Sequence, residues 1–147
     1  MRKYVLDTNL YVQAFRSVGG ARRLEDFLAD FSPATFLSSV VLHELLVGSN
    51  TPAKAKQVEE SIAGPLKRVG RVITPTHAAW ESAGNAIARM ARDEKLELRS
   101  VPKSLVHDCL IATSCRESGV TVITDNEADF RRIRKYIRVH YVLPWPV

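Results

Sequence analysis

The chain has 147 residues, 46% hydrophobic and 25% charged, which is the balance of one soluble globular domain over 1–147. No apolar run is long enough to cross a bilayer, and Asp7 comes too early for a signal peptide; the expected location is cytoplasmic, with no membrane partner. The net charge of +5 leaves two readings equally open, a polyanion partner or a merely solvated basic face.

Tyr4-Val5-Leu6 reads as a short strand that runs into Asp7-Thr8-Asn9, a cap or turn signal, with a helix from near Leu10. Gly19-Gly20 should break that helix. Ala21 to Asp30 suits a second one, with Leu24, Phe27, Leu28 and Phe31 at helical spacing. Phe36-Leu37 is strand-like; Ser38-Ser39 can cap a helix from Val40 to about Val47, which Gly48 ends. A lysine- and glutamate-bearing helix follows from Pro52 to about Lys67, broken or kinked at Gly64-Pro65.

Arg71 to Thr74 reads as a strand. Thr76 can cap a long helix to about Glu94, whose apolar stripe takes in Ala79, Trp80, Ala83, Ile87, Met90 and Ala91. Leu96 to Lys103 is a loop. Ser104 can cap a helix from Leu105 to Glu117, stopped by Gly119. Val120 to Thr124 is the clearest strand; Glu127 to about Tyr136 is helical and basic, and Val139 to Val142 is a last strand. Strands and helices alternate throughout, so the expected class is α/β with a mostly parallel central sheet flanked by helices. Ligands of such sheets bind beyond the carboxyl ends of the strands.

Four acids stand in costly places. Asp7 and Asp129 follow strand signals, while Glu44 and Asp108 interrupt apolar helical arcs: Val40, Val41, Val47 and Gly48 for the first, Leu105, Ile111, Ala112 and Cys115 for the second. A buried ion pair explains any one of them. Two such helices together with strand-end acids fit a shared counter-ion better, because clustered carboxylates cannot all ionise without one. Oxygen ligands suit Mg²⁺ or Mn²⁺ rather than zinc. Asp125 also follows a strand end.

Other chemistries lack their signatures. The histidines form no HExxH, and neither a GxGxxG or Walker-type loop nor a GxSxG elbow occurs. Cys109 and Cys115 share one predicted helix without CxxC spacing and read as buried free thiols.

Four segments in order resemble the PIN-domain ribonucleases, and among them the VapC-type toxins of VapBC toxin–antitoxin pairs. They are Val5 to Asn9, Ser39 to Gly48, His107 to Thr113 and Val122 to Phe130. The resemblance implies a PIN-like three-layer fold and metal-dependent endoribonuclease activity. Asp7, Glu44, Asp108 and Asp129 would hold Mg²⁺ or Mn²⁺, with Asp125 a rival for the fourth place. Thr8, Asn9, Thr124 and Asn126 match the polar members of the motifs. The family's Pro-x-Asp before the third acid is here Val106-His107-Asp108, which makes His107 a substrate contact or a spacer. Partners implied are an RNA substrate such as tRNA, a cognate VapB-type antitoxin and a second copy in a homodimer. Arg131, Arg132 and Arg134 would hold the RNA backbone. Alternatives are a stand-alone RNA-processing PIN nuclease, a non-catalytic binding module, and a haloacid-dehalogenase-type phosphatase. The last normally carries a second acid two residues after the first; here that position is Asn9.

Overall fold

The computed structural model describes residues 2–146; Met1 and Val147, the ends of the expected 1–147 domain, lie outside the described residues. Five short strands form one sheet: β1 (Tyr4–Leu6), β2 (Thr35–Ser38), β3 (Val72–Ile73), β4 (Thr121–Ile123) and β5 (Tyr141–Val142). Their order is β3-β2-β1-β4-β5 and every pair is parallel, so the sheet expected to be mostly parallel is parallel throughout. Parallel strands covered on both faces are apolar along their length rather than alternating. Val5, Leu6, Val122 and Ile123 obey this and are buried.

Strand order steps outward from β1 to β3, then resumes on the other side of β1 with β4. Right-handed crossovers then place the connecting helices on opposite faces of the sheet. The reversal lies between β1 and β4, the crevice where open parallel sheets bind ligands. The Asp7 amide donates to the Ile123 carbonyl at 2.9 Å and extends the ladder to the lip of that crevice.

Helix α1 (Thr8–Arg16) starts two residues before Leu10, because Asp7 itself is the cap, its Oδ1 accepting from the Thr8 amide at 2.8 Å. The expected break at Gly19-Gly20 falls instead at Ser17, which caps α2 (Val18–Phe31) by accepting from the Gly20 amide at 2.9 Å. The glycine serves a different purpose: a Cβ on Gly20 would stand 2.6 Å from the Gln13 carbonyl carbon, so only glycine lets α2 start this close to α1. On α2, Phe27 is buried and packs edge-on against Tyr4. Leu24, Leu28 and Phe31 are half-buried against the same core.

Ser38 caps α3 (Ser39–Val47). From α4 (Pro52–Val58) the chain passes through a π turn (Glu59–Ala63) into α5 (Gly64–Arg68), so Gly64-Pro65 does not break the helix. The widened turn absorbs the proline, and the Gly64 amide reaches back to Glu59 O. Helix α6 (His77–Glu94) buries Ala79, Ala83, Ala86 and Met90; Trp80, expected on this stripe, is 57% exposed. Small alanines let α6 lie close to α7 (Lys103–Ser118), and that contact face excludes the indole. Pro102, not Ser104, precedes α7, and every residue from Asp108 to Cys115 is buried. Helix α8 (Glu127–Ile133) ends three residues before Tyr136. Gly119 stops α7 in the left-handed region at φ 65°, which a residue without Cβ adopts freely. Both cysteines are free and buried, their thiols pushed up to about 12 by burial.

Candidate active site

Three elements bring acids to the crevice. Asp7 leaves the end of β1, Glu44 sits in the second turn of α3, and Asp108 lies on α7. Helix α3 packs against both α1 and α7, which brings these side chains together from positions far apart in sequence. Asp7 and Asp108 are buried, at 6% and 7% exposure, while the Glu44 side chain is 24% exposed.

Each carboxylate is held differently. The Thr124 hydroxyl donates to Asp7 Oδ2 at 2.8 Å and accepts from the Asn126 amide at 3.0 Å. Together with the Thr8 amide on Oδ1, this fixes both oxygens of Asp7. The Thr8 hydroxyl donates to Glu44 Oε1 at 2.8 Å, and His107 Nδ1 stands 3.6 Å from Glu44 Oε2. Asn126 Nδ2 donates to Asp129 Oδ2 at 2.7 Å. Asp108 accepts no hydrogen bond among the described residues, and no lysine or arginine meets it.

The electrostatics follow. Burial raises Asp108 from 3.8 to about 8, helped by the charges of Asp7, Glu44 and Asp129. Burial also raises Asp7; the hydrogen bonds from Thr124 and Thr8 oppose it, and the charges of Glu44 and Asp125 add to it. The acids thus lie close enough to feel one another. Among the described residues, however, no three His, Cys, Asp or Glu side chains close into a finished metal cage. An uncompensated, oxygen-only, partly desolvated set of this kind fits a hard divalent cation.

The two rivals for the fourth acid differ. Asp129, half-buried in the first turn of α8, is felt by Asp108. Asp125 is exposed and accepts from Gln13 Nε2 at 2.6 Å. Asn9 is exposed, and its side chain makes no hydrogen bond among those of the described residues.

The PIN domain model matches residues 4–136. The chain belongs to the PIN domain family. No curated protein matches it in sequence. Among solved structures, it is similar to FitAB bound to an IR36 DNA fragment: TM-score 0.70, 19% identity, covering 98% of this chain and 96% of that one. It is similar also to DNA-bound VapBC from Salmonella typhimurium, with TM-score 0.67 and 21% identity over 97% and 98% of the two chains. A third is FitAcB from Neisseria gonorrhoeae, at 0.66 and 20% over 98% and 99%. At such identities these likenesses speak for the PIN fold.

The basic residues of this PIN domain are not equivalent. Arg132 Nε donates to both carboxylate oxygens of Glu94 at 2.9 and 3.2 Å and ties α8 to α6. Arg131 pairs with Glu127 at 2.9 Å on the exposed side of α8. Arg134 lies over the Tyr141 ring, 4.9 Å from its centre. Sequence reasoning missed Gln13, which reaches Asp125 just beyond β4 and had no local signal. It also missed the pairing of His43 with His107, whose rings meet edge to face at 5.6 Å.

Proposed function

We propose that this PIN domain, taken as the whole of residues 1–147, is a metal-dependent endoribonuclease and the toxin of a toxin–antitoxin pair. The observation that carries the reading is Asp108: a residue only 7% exposed whose carboxylate has no donor or cation among the described residues, facing other acids at the switch point of a parallel sheet. A side chain so placed is costly unless a cation joins it.

Asp7, Glu44 and Asp108 would hold Mg²⁺ or Mn²⁺, with Asp129 as the fourth acid and Asp125 outside the set. A bound ion of this kind activates water and offsets negative charge on the phosphate, so no protein nucleophile is needed. The remaining residues act on the carboxylates. Thr124 and the Thr8 amide orient Asp7, the Thr8 hydroxyl orients Glu44, and Asn126 orients Asp129. Such supporting hydrogen bonds commonly matter ~10- to 100-fold in metal affinity or activity. Arg131 and Arg134 are the cations of α8 left to meet an RNA backbone, since Arg132 is engaged by Glu94. The similar VapBC and FitAB structures are of complexes. That supports an antitoxin partner here, with a homodimer and a cytoplasmic site of action as parts of the same reading. Among the described residues, no helix is long and apolar enough to cross a membrane.

The test is cleavage of a cellular RNA pool, tRNA included, by purified protein with Mg²⁺, with Mn²⁺ and with chelator. Asp7→Asn and Asp108→Asn should each lower metal-dependent cleavage on the order of 10²-fold or more. Undiminished cleavage by both variants refutes the reading. Co-expression with the product of the neighbouring reading frame separates a toxin, which it silences, from a stand-alone RNA-processing enzyme.

A further inference from the structure

Beside Glu44 lies a hollow of about 370 Å³, walled by Val40, His43, Pro75, Trp80, His107 and Leu110. Its size falls within the roughly 300–1,000 Å³ of small-ligand sites. No lysine, arginine, aspartate or glutamate lines it, so it is not built for a phosphate. Its chemistry is aromatic faces with a polar rim, where Ser39 Oγ and Thr74 Oγ1 share a hydrogen bond at 2.6 Å.

The same two helices build the hollow and the acid cluster. His43 adjoins Glu44 on α3 and His107 adjoins Asp108 on α7. Neighbours on a helix diverge by about 100°, so each helix presents its acid to one side and its imidazole to the next. The two imidazoles meet at 5.6 Å, and His107 Nδ1 reaches within 3.6 Å of Glu44 Oε2. A wall therefore runs from Glu44 through His107 to Trp80. That indole is 57% exposed on α6, and large exposed aromatics commonly mark binding surfaces.

We infer that the Trp80–His43–His107 hollow receives a nucleobase of the single-stranded RNA whose phosphate lies at the acid cluster. This rests on the nuclease reading above and adds to it the recognition of a base. Stacking on an indole suits any base, because every base has a π face; the imidazoles and the Ser39–Thr74 rim supply edge contacts that distinguish bases. A second copy of the chain is the competing occupant. The shared wall with Glu44 favours the substrate.

Trp80 emission, read as the difference between wild type and Trp80→Phe, should be quenched saturably by a mixed-sequence RNA hexamer in Ca²⁺ and not by pyrophosphate. In cleavage assays Trp80→Ala should raise KM by between about 5- and 150-fold, the span of one stacked base, with a smaller change in kcat. Trp80→Phe should recover most of the loss. An unchanged KM in Trp80→Ala overturns the inference. So does emission that ignores RNA, or that follows protein concentration alone, which would mark an interface between copies. If wild type cleaves no RNA with Mg²⁺ or Mn²⁺, the nuclease reading fails and this inference falls with it. Cleavage that depends on Asp108 but not on Trp80 defeats only the base pocket.

Discussion

Replacing Asp108 by asparagine should make the metal-free protein more stable at neutral and alkaline pH. The folded state holds the Asp108 proton up to about pH 8, against 3.8 for an ordinary aspartate, so folding takes up a proton between those values. Stability from this group is therefore complete below the ordinary value and is lost as pH rises towards the folded one. Each pH unit in that window costs about 1.4 kcal/mol, and by pH 7 the loss reaches roughly 4 kcal/mol as an upper figure. Asparagine carries no charge but places a largely desolvated amide there, at a cost of up to about 1–3 kcal/mol. The net gain for Asp108→Asn near pH 7 is then on the order of 2 kcal/mol, or ~4–8 °C in melting temperature for a chain of this size. The assay is thermal unfolding of both proteins in chelator at about pH 5, 7 and 9, then with Mg²⁺ or Mn²⁺. The gap should widen with pH. Metal should raise wild type by RT ln(1 + [L]/Kd) and the variant far less. A variant less stable than wild type at pH 9 without metal would refute the argument, because Asp108 would then have a stabilising partner.

Other residues give independent tests. Thr124→Val keeps the shape but removes the donor to Asp7 and the acceptor for the Asn126 amide; urea unfolding should show a loss of about 1–3 kcal/mol. Gly20→Ala drives a methyl into the Gln13 carbonyl, which is backbone and cannot move aside; unfolding should register a cost of at least ~1–3 kcal/mol while the acids stay intact. Thr8→Val frees Glu44 Oε1, and metal titrations should show affinity or activity lowered ~10- to 100-fold with little change in stability. Asn126→Ala should reduce cleavage where Gln13→Ala does not, since the first releases Asp129 and the second releases Asp125; equal losses would bring Asp125 into the metal set.

Strands were readable wherever an apolar run lay under helices on both faces, as at Val5-Leu6 and Val122-Ile123, because burial there needs no alternation. Helical spacing foretold that Glu44 and Asp108 leave apolar arcs, and the packing of α3 against α7 brings them to one crevice. Boundaries were less legible. A residue such as Asp7 reads as a turn, a cap or a candidate ligand, and here its Oδ1 caps α1 while the other oxygen takes Thr124. Gly19-Gly20 reads as a breaker when no neighbour is known; only the approach of α1 shows that Gly20 answers to a packing limit. Trp80 followed the periodicity but lies outside, since which arc of α6 faces α7 depends on the alanines opposite. Contacts between elements, such as Gln13 with Asp125 or Arg132 with Glu94, have no local signal at all.

The central place of β1 has a consequence for biosynthesis. Its partner on one side, β4, and the hydroxyl that orients Asp7 arrive late: Thr124 lies 117 residues after Asp7. A ribosome delivers Asp7 and Glu44 first, Asp108 much later and Thr124 later still. A chain still short of β4 can therefore assemble neither the crevice nor its acid cluster. A nuclease built in this order would stay inert at least until β4 and Thr124 have been made. That would leave a partner the time before β4 is made in which to be present.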